Sequence, residues 1–107
     1  MRHYETLVLF SPELAPENRQ TILATFTGVI EREKGEVVKL DDWGMRDLAY
    51  PVKKQMRGYF VRLDYNAVNT TVAELERNIR ISDGIFKFST VKLGDEPFVA
   101  AAAPQEA

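Results

Sequence analysis

Apolar residues fall into six short patterns along the chain, and the spacing within each selects an element. Residues 3–10 (His3-Tyr4-Glu5-Thr6-Leu7-Val8-Leu9-Phe10) are rich in strand formers and stop at Ser11-Pro12, which predicts a strand. On a strand Tyr4, Thr6, Val8 and Phe10 face one way and Glu5, Leu7 and Leu9 the other, so both faces carry apolar groups. In residues 17–34, Ile22, Phe26, Val29 and Ile30 form one helical stripe. Pro16 stands at the start, where its missing N–H costs nothing. Glu17 suits the positive end of this helix, and Arg32 and Lys34 the negative end. Gly35 is placed for a left-handed cap. Gly28 costs about 1 kcal/mol against alanine within a helix, and close packing on a sheet is the expected reason for it.

Residues 36–52 predict a long strand bent at Gly44, with Pro51 putting its far end at a sheet edge. The polar segment from Lys53 to Gly58 predicts the hairpin turn. Residues 59–65 alternate as a half-buried strand with Val61 and Leu63 in the core. Asn69 or Thr70 is expected to cap a second helix, striped by Val72, Leu75 and Ile79 and ending near Arg80. Ser82-Asp83-Gly84 stops it, and residues 85–93 are the last strand. The order β-α-β-β-α-β predicts an α+β, ferredoxin-like sandwich: a four-stranded antiparallel sheet with two helices on one face. The domain is expected over residues 1–93. Residues 94–107, which lack core-building periodicity, are expected to form a flexible tail. The helices leave one sheet face open, and Leu7 and Leu9 point there if Val8 points inwards. An apolar open face wants a partner.

A chain of 107 residues fits one domain. It has no cysteine, which excludes disulfides, thiolate zinc sites and cysteine nucleophiles. The N-terminus lacks a signal-peptide pattern, and no apolar run approaches the ~18 residues of a membrane span, so a cytoplasmic location and no membrane contact are expected. The net charge of −2 is unevenly spread. Residues 43–92 hold nine basic and five acidic residues, whereas both flanking segments are acidic. A basic middle in an acidic chain suits a one-sided electrostatic surface.

Catalytic chemistry is not nominated. The single histidine, His3, has no zinc-ligand partner near it in sequence and is expected at the surface or at a partner contact. Asp41 and Asp42 are adjacent and would point to opposite faces of a strand, so they make no shared carboxylate site. There is no glycine-rich phosphate loop and no nucleophile elbow. No metal, no cofactor, no small-molecule substrate and no enzymatic activity are expected. Between Trp43 and Tyr65, aromatics (Trp43, Tyr50, Tyr59, Phe60, Tyr65) alternate with Arg46, Lys53, Lys54, Arg57 and Arg62. This mixture suits phosphates and unstacked bases, and equally the packing of a strand hairpin. Arg57-Gly58-Tyr59-Phe60-Val61 approaches the RNP1 pattern of RNA-recognition motifs but has Phe60 where a small residue belongs.

The opening Met1-Arg2-His3-Tyr4-Glu5 resembles the start of the bacterial small-subunit ribosomal protein S-six family. Asp42-Trp43-Gly44-Met45-Arg46-Asp47-Leu48-Ala49-Tyr50-Pro51-Val52-Lys53-Lys54 resembles that family's W-G-x-R-x-L-A-Y-P-I-x-K signature. Gly58-Tyr59-Phe60, Leu75-Glu76-Arg77-Asn78-Ile79-Arg80, Asp83 and Ile85 continue the match, over residues 1 to about 93. The resemblance implies the ferredoxin-like fold. It also implies a structural role in binding the central domain of small-subunit (16S) rRNA jointly with protein S-eighteen. It would put Arg2, Arg80, Lys87 and Lys92 at the RNA, with lysine at 87 and 92 where the family often has arginine. Leu7, Leu9, Arg46 and Tyr50, flanking the open face, are the candidates for partner contact. Two other readings compete. An autonomous single-stranded RNA binder would stack bases on Tyr59 and Phe60, and an enzyme or ligand sensor would need a pocket with perturbed acids or bases.

Overall fold

β1 (Arg2–Phe10) runs inside the sheet, so its alternation is read on both faces. Tyr4, Thr6, Val8 and Phe10 are buried on one of them. The other elements follow in the expected order: α1 (Pro16–Arg32), β2 (Glu36–Val52), β3 (Gln55–Ala67), α2 (Asn69–Ile81) and β4 (Ile85–Gly94). The computed structural model describes residues 1–96, so most of the expected tail lies outside the described residues. All strand pairs are antiparallel, in the order β2-β3-β1-β4. Phe26, Val29 and Ile30 of α1 and Leu75 and Ile79 of α2 join Val8, Phe10, Val61, Leu63 and Tyr65 in one buried cluster. Both helices therefore cover the same face, and the fold is the ferredoxin-like sandwich. Each fully buried Leu, Ile or Phe side chain there contributes about 1.5–3 kcal/mol relative to exposure.

The core holds polar groups that satisfy one another. The Thr6 hydroxyl lies 2.8 Å from the Tyr65 hydroxyl and 2.9 Å from that of Thr90. Tyr4 stacks on Tyr65 with centroids 6.0 Å apart, and its hydroxyl donates to Asn69 at 2.9 Å. Asn69 is thus not a helix cap. Val68 holds that position without a side-chain bond, because the Asn69 amide oxygen accepts from Tyr4 and ties the start of α2 to β1.

The glycines differ from expectation for identifiable reasons. Lys34, at φ +72°, takes the left-handed position at the end of α1. Gly35 is needed for space, since a Cβ there would sit 2.8 Å from the Ile30 side chain and 2.9 Å from the Asn66 carbonyl oxygen. Gly28 faces away from the sheet, and a Cβ there would meet nothing within 4 Å. Gly44 does bend β2, with φ +83° at a register shift between Asp42 and Gly44. The hairpin turn is shorter than predicted. Lys53 and Lys54 alone make it, at φ +50° and +66°, and Gln55 already pairs with Val52. Two left-handed residues match the twist of the flanking strands, which is why so short a turn closes the hairpin.

Gly28→Ala is expected to raise stability by about 1 kcal/mol in urea unfolding. Gly58→Ala is expected to lower it, because its Cβ would fall 2.2 Å from the Leu9 side chain. Burial pushes the Tyr65 phenol up to about 12 from its ordinary 10.0, with the Thr6 hydrogen bond opposing in part. The folded chain keeps this proton where the unfolded chain loses it. The stability contribution is therefore full below pH ~10 and falls as pH rises towards ~12. Urea midpoints followed across that window should drop for the natural chain, with a shallower slope for Tyr65→Phe.

Candidate functional site

The helix-free face is built by the residues that alternate with the core. Glu5, Leu7 and Leu9 of β1 stand opposite Asp64, Arg62 and Phe60 of β3. Ser89 and Lys87 of β4 stand opposite Leu7 and Leu9, and Asp41 of β2 opposite Arg62. Leu7, Leu9, Phe60, Lys87 and Ser89 line a hollow of about 90 Å³. Trp43 packs at a tilt against Phe60 with centroids 6.3 Å apart. The Arg46 guanidinium lies 5.6 Å from the Trp43 ring, and its Nε donates to the Trp43 carbonyl at 3.2 Å. Tyr50, 64% exposed, places its ring 5.5 Å from Lys87 Nζ, so the β2–β3 hairpin reaches past β1 to the far edge strand. Leu7, Leu9, Arg46 and Tyr50, the four residues expected at a partner contact, share one surface. Trp43, Phe60 and Lys87 join them.

Beside this apolar patch runs a row of charges. Arg62 donates through Nη2 to Glu5 at 3.2 Å, approaches the other Glu5 oxygen through Nε at 3.2 Å, and lies 3.5 Å from Asp64. His3 Nε2 contacts the other Asp64 oxygen. The hydrogen bond to Glu5 raises the Arg62 guanidinium above its ordinary value despite the opposing cost of burial. These side chains are only 12–24% exposed, so His3 is a half-buried member of a row rather than a loose surface group. Sequence reasoning missed the row. Its only signal was the alternation of Arg62 and Asp64 with Val61 and Leu63, which becomes a row only in register with β1.

The expected RNA residues form two pairs along β4. Arg2 and Lys92 converge on Asp95, at 3.8 and 2.7 Å. The Lys92 hydrogen bond, with a smaller pull from Arg2, holds that carboxyl below the usual carboxylate range. Arg80 and Lys87 line a groove of about 310 Å³ with Ile79, Ile85, Phe86 and Phe88. Arg80 also pairs with Glu76 at 3.6 Å and lies 5.4 Å from the Phe88 ring. Lys87 and Lys92 are about 17 Å apart along the strand. Lys87 borders both the groove and the apolar patch.

Tyr59 does not stand beside Phe60. Neighbours on a strand point to opposite faces, and Tyr59 is on the helix side under Arg19, whose guanidinium lies 3.5 Å from the ring. Its hydroxyl donates to both Asp42 carboxylate oxygens, at 2.6 and 2.7 Å, and this bond raises its pKa. Tyr59 and Phe60 therefore do not form a two-ring platform on one face.

The family profile of Ribosomal protein S6 matches residues 3–92. The small ribosomal subunit protein bS6 of Nitratidesulfovibrio vulgaris (strain DP4) is 67% identical over 95 residues, covering 89% of this chain and 94% of that protein. The crystal structure of the 30S ribosomal protein S6 of Thermotoga maritima superposes with a TM-score of 0.80 at 27% identity, covering 85% of this chain and 86% of that one. The C-terminal domain of the MgtC protein of Mycobacterium tuberculosis superposes with a TM-score of 0.63 at 9% identity, over 92% of this chain and 93% of that one. That last likeness is of fold alone.

Removing Arg62 leaves Glu5 and Asp64 facing each other across paired strands without their shared cation. Arg62→Ala should cost about 1–3 kcal/mol in urea unfolding, and Arg62→Ala with Glu5→Gln less than Arg62→Ala alone.

Proposed function

The chain belongs to the ribosomal protein S6 family of the small ribosomal subunit, and on that premise we propose that it binds the central domain of 16S rRNA jointly with protein S-eighteen, without catalysis. The observation that carries this reading is the continuous surface on the helix-free face, where Leu7, Leu9, Phe60, Trp43, Arg46 and Tyr50 meet across three strands. An apolar patch beside partly buried charges has the anatomy of a protein interface rather than of a polyanion groove. Glu5, Asp41 and Asp64 surround the Arg62 guanidinium, and Arg46 and Lys87 flank the patch, so the face suits a protein partner that carries complementary charges of both signs.

The RNA contacts of this reading lie along β4, through Arg2, Arg80, Lys87 and Lys92. An ammonium at 87 and 92 meets a phosphate as a point charge, without the guanidinium fork. Four cations are a modest footprint for a chain of net charge −2, so the partner supplies much of the remaining positive charge. Lys87 borders both surfaces, which would let protein and RNA meet at one seam. The binding unit is residues 1–93, with residues 94–107 as an appended tail, and the protein works in the cytoplasm on the ribosome. The described residues contain no helix long and apolar enough to cross a membrane.

Binding to a central-domain 16S rRNA fragment, measured across a salt series with and without protein S-eighteen, tests the proposal. Tight binding is expected only with the partner. Lys92→Ala should weaken it and reduce the slope of log affinity against log salt by about 0.9. Equal affinity without the partner would favour an autonomous RNA binder, and no binding in either case would reject the proposed function.

A further inference from the structure

The β2–β3 hairpin outruns the sheet. β1 stops at Phe10 opposite Tyr59, whereas β2 and β3 go on pairing through Arg46–Gly58 and Asp47–Arg57 to Val52–Gln55. Past Phe10 the hairpin is a two-stranded ribbon, and such a ribbon is marginal by itself. It also leaves the sheet next to a bulge, where Gly44 at φ +83° breaks the register. Yet this arm, with the strand just before it, carries Trp43, Arg46, Tyr50 and Phe60 of the candidate protein interface.

The opposite face of the same segment is fastened. Asp42 precedes Trp43, and Tyr59 precedes Phe60, so each fastening residue is the chain neighbour of a docking residue. The Tyr59 hydroxyl bonds both Asp42 oxygens, linking β3 to β2 at the bulge. Arg19 of α1 lies 3.5 Å from the Tyr59 ring centroid. A second tie runs from the Gln55 amide, which donates at 3.3 Å to Glu13 in the loop before α1. Asp42 is exposed, and although the Tyr59 ring packs against the margin of the core, its hydroxyl and the Arg19 cation lie outside it, so these two groups contribute little to global stability. The cluster sits where the ribbon loses its third strand.

We infer that Arg19, Tyr59 and Asp42 form a positioning latch that sets the arm against α1 and so presents Trp43, Arg46, Tyr50 and Phe60 to the protein partner. The partner's identity rests on the proposed function; the latch itself does not. A latched arm spares the entropy of ordering a loose ribbon on binding. None of the three latch residues needs to touch the partner.

Trp43 is the only tryptophan, so it reports the arm directly in the full chain. Tyr59→Phe removes the hydroxyl and keeps the ring, and Arg19→Met removes the cation. Time-resolved Trp43 anisotropy should show faster local motion in both, with urea midpoints close to that of the natural chain. Affinity for protein S-eighteen should fall about three- to tenfold, as expected for lost preorganisation. Arg19→Lys, which keeps a cation over the ring, should restore most of both signals. Unchanged Trp43 motion would overturn the latch. Faster motion with unchanged affinity would overturn its positioning role, and a large loss of global stability would make the cluster a structural element instead. If the natural chain does not bind protein S-eighteen, the proposed function fails, while the anisotropy still decides whether the latch exists.

Discussion

The antiparallel register of β1 against β3 governs both faces of the sheet at once. Val8 opposite Val61 and Thr6 opposite Leu63 build the helix-side core, while Leu9 opposite Phe60 and Leu7 opposite Arg62 build the open face. Strand side chains alternate with a period of two, so a slip of one residue would exchange the two sets. It would put Arg62 and Asp64 under the helices without partners. The Thr6–Tyr65–Thr90 cluster works against such a slip, because these hydroxyls find one another only in this register and would otherwise be buried unsatisfied.

The same register explains how an acidic chain can serve a ribonucleoprotein. The open face keeps its charges in a paired row, with Arg62 between Glu5 and Asp64, and leaves an apolar patch beside it. Arg2 and Lys92 meet at Asp95 at one end of β4, with Lys92 opposite Tyr4 on the helix side, and Arg80 and Lys87 line the groove at the other end, away from that row. Lys87 alone of these cations lines both the groove and the apolar hollow.

The β2–β3 arm extends this face beyond the three strands that could support it. The latch of Arg19, Tyr59 and Asp42 and the Glu13–Gln55 contact stand behind it, and Trp43, Arg46 and Phe60 stand in front. Pleating makes this division possible, since each strand offers one face to the helices and the other to the open side of the sheet. It also shows why the RNP1-like stretch misleads. The motif read along the chain puts Tyr59 and Phe60 side by side, and the pleat puts them back to back.

Periodicity alone determined much of this protein. The six elements, their order, the sandwich they imply, the helix stripes, the placement of Val61 and Leu63 in the core and the bend at Gly44 all follow from local spacing. The family was legible in one contiguous run, Asp42 to Lys54, because a signature read along the chain needs no tertiary knowledge. The tertiary structure decided what depends on partners distant in sequence. Asn69 looked like a cap until Tyr4, 65 residues away, claimed its oxygen. Gly35 looked like a left-handed cap, but Asn66 from β3 leaves no room for a Cβ there. Gly28 looked like a packing glycine and faces away from the sheet. His3, Glu5, Arg62 and Asp64 read as four separate polar residues until register lined them up. Local patterns specify which face a side chain takes. Only the pairing of strands and the docking of helices, formed across the whole chain, specify what it meets there.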